Sequence, residues 1–192
     1  MDVASKRWDV FTEQRPPDDL LQEAIKLVQE KEAALDMGAG ALNETKYLLG
    51  EGFGKIVILD VEPGIVERAE ELGEKERLEV VVSRFEDYTF PPDTFDLINA
   101  RYSLPFVSPE SFERVFLKAK ASLKPGGILV TQLFGSNDYR NKRKDMTLHS
   151  RREVEQLLSD MEILELREEE YDGPTYNQGI QHWHVFTALA RK

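Results

Sequence analysis

Residues 33–60 read AALDMGAGALNETKYLLGEGFGKIVILD, and their punctuation decides the fold. AALDM is a short apolar run closed by glycine, which reads as a buried strand. Gly38 and Gly40 then make a turn in which something approaches the backbone too closely for a Cβ. NETKYLLGEG opens on Asn43, a good N-cap residue, and stops at a glycine, as a helix should. KIVILD is a second buried strand, and it ends in Asp60. The unit is therefore strand, glycine turn, helix, strand.

The same alternation continues outward. EPGIVERAEELG reads as a helix, LEVVVS and TFDLINA as strands, SPESFERVFLKAKASL as a helix and GILVTQLFG as a strand. Strands rich in β-branched residues that alternate with helices pair in parallel through right-handed crossovers. Upstream, PPDDLLQEAIKLVQEK (16–31) sets Leu20, Leu21, Ala24, Ile25, Leu27 and Val28 on one helical stripe, a helix that covers the sheet. Downstream, the helix SRREVEQLLSD precedes two strand-like runs, EILELREEEYDG and QHWHVFTALARK, joined by the turn-rich DGPTYNQG. Two strands with no helix between them pair antiparallel. The expectation is an α/β chain: a doubly wound, Rossmann-like, seven-stranded, mostly parallel sheet, closed by a C-terminal antiparallel hairpin and carrying helices on both faces. A single domain accounts for residues 1–192, with a lid and covering helix over 1–31, a ligand-binding core over 33–135 and a substrate-side helix and hairpin over 136–192.

Composition narrows the partners. The 192 residues carry a formal net charge of −11 with a pI near 4.9, which repels a phosphate backbone and argues against nucleic acid. There is no cysteine, so disulfides, thiolate metal sites and a cysteine nucleophile are excluded. No apolar run approaches the roughly 20 residues of a membrane helix, and MDVASKRWDVF lacks a signal core, so a cytoplasmic chain that binds no membrane is expected.

In a doubly wound sheet the ligand sits outside the carboxyl ends of the strands, against the first turn. A dinucleotide fingerprint would place a third glycine where this chain has Asn43. Asp36, directly before the turn, has the wrong sign for a diphosphate and the right one for an ammonium or sulfonium. Asp60, 24 residues later, stands where a carboxylate accepts both ribose hydroxyls. Together they point to a cationic nucleoside.

At these residues the sequence resembles the class I S-adenosylmethionine-dependent methyltransferases. LDMGAG, ILDVEP, FEDYTFPPDTFDLINA and LKPGGILVTQLF stand in that family's order over roughly residues 33–135. NARYSLPFV, QLFGSND and the final strand pair look most like a branch of small bacterial enzymes similar to the tellurite-resistance methyltransferases. The resemblance implies S-adenosyl-L-methionine as cofactor, S-adenosyl-L-homocysteine as product and direct methyl displacement by a heteroatom of a small acceptor. It implies that Gly38 and Gly40 pass beside the methionine part, that Asp36 orients the loop or the amino group, and that Asp60 holds the ribose. Val61 would stack on the adenine, with the Phe85 N–H on N1 and Glu86 or Asp87 on the exocyclic amine; Arg84 stands where the family often has an acid. Asn99 to Phe106 would face the reacting methyl group. They lack the Asp/Asn-Pro-Pro-aromatic motif with which amine-methylating nucleic-acid enzymes hold a flipped base.

Several residues carry a functional and a structural reading side by side. Arg101 holds an anionic substrate or is simply paired. Tyr102, Leu104 and Phe106 wall a pocket or pack in the core. Trp8 and Phe11 are spaced like an aromatic lid or pack on the sheet. His182 and His184 share one strand face, which without a third ligand makes no zinc site; His182 beside the substrate is the functional alternative. Tyr102, His182 and Glu170 are candidate bases. RNKRK (140–144) is a basic island that reads as a solvated loop or as a contact for an acidic small molecule. A monomer or homodimer is expected. The competing functions are a nicotinamide-dependent oxidoreductase on the same fold and a non-catalytic protein that binds S-adenosylmethionine.

Overall fold

The computed structural model describes residues 19–175 and 178–192. In chain order these form α1 (Asp19–Leu27), β1 (Ala33–Met37), α2 (Asn43–Gly50), β2 (Lys55–Asp60), α3 (Ile65–Glu71), β3 (Leu78–Val82) and β4 (Phe95–Arg101). A 3-10 turn (Leu104–Phe106) follows, then α4 (Pro109–Ser122), β5 (Leu123–Gly135), β6 (Leu148–His149), α5 (Arg151–Leu157), β7 (Glu162–Thr175) and β8 (Gly179–Arg191). The sheet runs in the order β3-β2-β1-β4-β5-β8-β7. Strands β1 to β5 pair in parallel, while β8 runs antiparallel to both β5 and β7. The α/β architecture and the closing hairpin agree with the sequence reading.

The strands sort their side chains by the period of two. Ala34, Ile56, Ile58, Leu97, Ile128 and Val130 pack with Leu20, Leu21, Ala24 and Ile25 of α1, Leu48 of α2 and Ile65 and Ala69 of α3. Their odd-register neighbours Leu35, Val57, Leu59, Ile98 and Leu129 pack on the other face with Phe112, Val115, Phe116 and Ala119 of α4 and with Val154 of α5. Both faces are thus covered. Among the described residues no helix is long and apolar enough to cross a membrane.

Three local details differ from expectation. The sheet has an eighth strand, the two-residue β6, which pairs with β5 beyond the main path and is too short to leave a periodicity signal. Asn43 is the first helical residue of α2, not its cap; Leu42, at φ 63°, occupies the cap position with no side-chain hydrogen bond. Leu27 is exposed at the last residue of α1, whereas Val28, just beyond the helix, still packs part-buried against the core, so of the expected stripe only Leu27 faces outward. Helix α5 begins with a capping box between Ser150 and Glu153, a signal carried by SRRE.

Strand order reverses between β1 and β4, since β2 and β3 build outward on one side and β5 on the other. The carboxyl ends of β1, β2 and β4 therefore meet at one crevice. Beyond Val185, β8 has only β7 as a partner, so residues 179–184 and their β7 neighbours form a two-stranded ribbon past the end of β5.

Candidate active site

The turn after β1 is built from left-handed backbone: Gly38 at φ 74°, Gly40 at φ 51° and Leu42 at φ 63°. It is tied to β2 by two bonds. The Gly38 N–H donates to Leu59 O at 2.7 Å, and the Gly40 N–H donates to Asp60 Oδ2 at 3.0 Å. The second Asp60 oxygen accepts the Glu62 N–H at 2.9 Å. Each carboxylate oxygen keeps a lone pair beyond its one bond. Val61, immediately after, is 65% exposed, an aliphatic face left open beside that carboxylate. A Cβ on Gly38 would lie 2.5 Å from Ser103 Cβ and 3.6 Å from Phe85 Cζ, so the turn threads between the segments that follow β3 and β4.

Asp36 is buried beneath this turn. Its carboxylate accepts Thr45 Oγ1–H at 2.6 Å from α2 and Asn99 Nδ2–H at 2.8 Å from β4. Burial first, and then the Glu44 charge, push its pKa up to about 7, against the two hydrogen bonds. The acid thus braces β1, β4 and α2 against one another. Thr45 and Glu44 were not singled out in the sequence; the one available signal was their place in the first turn of a helix entered directly from the glycine loop.

This burial has a pH consequence. The folded pKa of Asp36 lies above the unfolded value, so its contribution to stability is complete below pH 3.8 and is lost as pH rises through about 7. Asp36→Asn cannot titrate. The stability difference between wild type and this variant, from urea unfolding at several pH values, is expected to shift against wild type by up to roughly 4 kcal/mol across that window. A difference that does not vary with pH would refute the assignment.

The end of β4 carries two orphans. Asn99 Oδ1 and Ser103 Oγ are buried with no hydrogen-bond partner. Between them the chain turns through Tyr102, which sits at φ 51°, an uncommon conformation for a bulky residue that tends to cluster at functional sites. Arg101 reaches Glu44 at 2.8 Å and Gln132 at 3.1 Å, linking α2, β4 and β5. Its guanidinium is engaged in this pairing.

The Tyr102 ring begins an aromatic wall. It lies 5.9 Å from Phe134, which in turn is 6.5 Å from Phe106 and 6.4 Å from Trp183. Phe106 is half exposed. Arg140 seals the far side. Its guanidinium carbon lies 3.5 Å over the Phe134 ring, 4.3 Å from Tyr139 and 4.5 Å from Trp183, and Nε donates to the fully buried Asp138 at 2.8 Å. The basic island is therefore no uniformly solvated loop: its first residue is a buried, aromatic-stacked arginine, while 141–144 are exposed. Charge patterning alone does not reveal this, because the partners come from β5 and β8.

His182 lies on the projecting ribbon, where Nδ1 bonds Asp172 at 2.9 Å and Nε2 bonds Glu170 at 3.1 Å. These two bonds raise its pKa, which favours the charged imidazolium and disfavours a role as base. Glu170 also accepts from Asn137. His184 shares that face but is buried, its Nδ1 accepting the Asn137 N–H at 3.2 Å and its Nε2 meeting Glu168 at 3.0 Å. Glu168, Glu170 and His184 form a close group of metal-ligand types, with both ring nitrogens of His184 already partnered. Glu86 is paired with Arg84 at 3.0 Å. Trp8 and Phe11 lie outside the described residues.

Asp36, Gly38, Gly40, Asp60, Val61, Phe85 and Asn99 are thus gathered at one crevice, with Arg101 and Tyr102 at its β4 side and His182 on a separate ribbon. Residues 35–131 match the family model of a methyltransferase domain. Human N-terminal Xaa-Pro-Lys N-methyltransferase 1 is 31% identical over 100 residues, a match that covers 50% of this chain and only 45% of that protein. The structure of TehB from Haemophilus influenzae superposes with a TM-score of 0.79 at 18% identity, covering 97% of this chain and 67% of that one. A Burkholderia thailandensis 1,6-didemethyltoxoflavin-N1-methyltransferase, solved with 1,6-didemethyltoxoflavin and S-adenosylhomocysteine, gives 0.67 at 19% identity, covering 98% and 88%. At these identities the two structures establish a shared fold.

Proposed function

The chain belongs to the methyltransferase domain family, and from that premise we propose that it moves a methyl group from S-adenosylmethionine to a heteroatom of a small-molecule acceptor. The observation that carries the reading is the glycine turn held by Asp60, with Val61 open beside it and two unpartnered polar groups, Asn99 Oδ1 and Ser103 Oγ, at the neighbouring strand end. These residues fit the cofactor. Asp60 has acceptor capacity for ribose hydroxyls, Val61 an open face for a base, and the Gly38 turn a backbone that a ligand can approach.

The cofactor, when bound, supplies an activated methyl group and a good leaving group. The protein's part is placement. In this reading the Asp60 carboxylate and the turn fix the nucleoside, and the strained Tyr102 segment faces the reacting centre. The exposed Phe106 ring and the part-buried Tyr102 ring, backed by the buried Phe134, then offer an apolar, partly open surface on which a flat acceptor lies in line with the methyl group. Displacement of water from that surface strengthens the electrostatic terms on the nucleophile. A protonated nucleophile would need a base, and Tyr102 is better placed than His182, whose ring is clasped by carboxylates on the ribbon. The acidic surface favours a small acceptor over a nucleic acid. The bound ligands of the Burkholderia enzyme, a heterocycle and S-adenosylhomocysteine, accord with this reading.

The test is calorimetric titration with S-adenosylmethionine, S-adenosylhomocysteine and a nicotinamide dinucleotide, followed by an acceptor screen that detects S-adenosylhomocysteine formation. Micromolar binding of the first two, none of the dinucleotide, and turnover with small heterocycles or thiols are expected. Absence of binding by a folded, ligand-free sample would sink the proposal; binding without turnover on any acceptor would favour a non-catalytic binder.

A further inference from the structure

The basic island after β5 holds a buried cation that is only half used. Arg140 gives one edge of its guanidinium to Asp138: Nε donates to Oδ1 at 2.8 Å and Nη2 to Oδ2 at 3.5 Å. Asp138 is fully buried and also accepts the backbone N–H groups of Arg140 and His184, so that edge is fixed in place. A guanidinium has five N–H donors, and this pairing uses two. The remaining end, Nη1 and the second Nη2 N–H, makes no hydrogen bond among the described residues. Yet the side chain is 9% exposed. A charged donor buried without an acceptor is costly, and a native protein that keeps one has a reason to.

The surroundings define what completes it. Phe134, Tyr139 and Trp183 enclose the guanidinium at 3.5, 4.3 and 4.5 Å, and stacked rings leave its in-plane N–H groups unsatisfied. The unused end is a rigid two-pronged donor, the shape that a planar carboxylate fits with both oxygens. Apolar rings around it strengthen such a bond. Phe134, on which the guanidinium is stacked, also backs Tyr102 at 5.9 Å and Phe106 at 6.5 Å. The free donors and the surface assigned to the acceptor therefore share one ring. We propose that the Nη1/Nη2 end of Arg140 binds a carboxylate of the methyl acceptor, so that the substrate is a small planar acid whose apolar body lies against Tyr102 and Phe106.

Charge along the segment agrees. Residues 138–145 carry Arg140, Lys142, Arg143 and Lys144 against Asp138 and Asp145, a positive stretch in a chain of net charge −11. Arg143 is paired with Asp145, while Lys142 and Lys144 are exposed. An anion that the chain as a whole repels is drawn toward this loop. Asp138 does not compete with it, because it occupies the Nε edge and balances the guanidinium while no acceptor is bound. A neutral analogue of the acceptor leaves the fork unpaired and is rejected for that reason.

This inference rests on the methyltransferase reading, and the experiment separates the two. The full chain, loaded with S-adenosylhomocysteine, is titrated calorimetrically with benzoate, picolinate and indole-2-carboxylate, each beside its primary amide. At least one carboxylate is expected to bind about tenfold or more tightly than its amide. Arg140→Gln should bring that pair within about threefold of each other while S-adenosylhomocysteine affinity is unchanged, because the cofactor crevice does not use Arg140. Arg140→Lys keeps the charge beside Asp138 but not the fork; it should also lose most of the preference, and it serves if the glutamine variant fails to fold. Melting curves control for folding. If no carboxylate binds more tightly than its amide while S-adenosylhomocysteine still binds, the inference is overturned and the methyltransferase reading stands. A preference that survives Arg140→Gln, or is lost instead in the Lys142→Ala, Lys144→Ala double variant, would assign the anion to the exposed lysines and equally overturn it. Failure of S-adenosylhomocysteine to bind would remove both.

Discussion

Asp60→Ala is expected to weaken S-adenosylhomocysteine at least about 100-fold, equivalent to roughly 2.7 kcal/mol, in a protein that still folds. Two effects add. The carboxylate is the acceptor for the Gly40 and Glu62 N–H groups, so its loss frees the glycine turn from β2. In our reading it also accepts the ribose hydroxyls, and hydrogen bonds to a charged acceptor contribute roughly 1.5–3 kcal/mol each. Asp60→Asn separates the contributions. It keeps the volume and one oxygen but turns an NH2 toward one of the two backbone donors, and it should fall between the extremes, with about a tenfold loss. Circular dichroism and a melting curve control for folding. Affinity of Asp60→Ala within threefold of wild type would show that the nucleoside is held elsewhere.

Gly135→Ala is expected to cost about 3 kcal/mol of stability, seen as a fall in melting temperature of roughly 6–12 °C. A Cβ there would lie 2.2 Å from Cγ and Nδ1 of His184. That imidazole cannot simply step aside. It is buried, packed 4.9 Å from Phe186, and bonded to the Asn137 N–H and to Glu168, while the His184 N–H donates to Asp138. Moving the ring therefore disturbs the end of β5, the ribbon and the carboxylate that anchors Arg140 in one step. A second substitution identifies the cause. In a Gly135→Ala background, His184→Ala should restore at least half of the lost stability, whereas the two changes would be additive if the clash were irrelevant.

The alternation of strands and helices was legible in the sequence because it is a local property. Each buried strand announces itself by an apolar run of limited length, each helix by its stripe and its stops, and parallel pairing follows from their alternation. Gly38, Gly40, Asp36 and Asp60 were legible for a related reason: a strand end followed by a turn is a place that the chain itself marks, and the topology then determines that such ends converge. Asn99 and Tyr102 came with them, since they close the next strand of the same set. The error at Asn43 was also local. Its side chain suits a cap, but the left-handed Leu42 advances the helix by one residue.

What the tertiary structure decided is the identity of partners. Thr45 on Asp36, Glu44 on Arg101 and Ser103 against Gly38 are contacts across 9, 57 and 65 residues of sequence, arranged by strand register and helix placement rather than by any pattern along the chain. Arg140 reads as one charge among four until β5 and β8 bring Phe134 and Trp183 against it. His182 reads as one of two imidazoles on a strand face until the antiparallel register sets Asp172 directly opposite it. By itself the sequence determined which residues stand at the carboxyl ends of the strands, because burial and periodicity are short-range. Only the folded chain determined which of them are committed to one another and which, like Asn99 Oδ1 and Ser103 Oγ, are buried without a partner, because a hydrogen bond has two ends and the second is placed by the rest of the sheet.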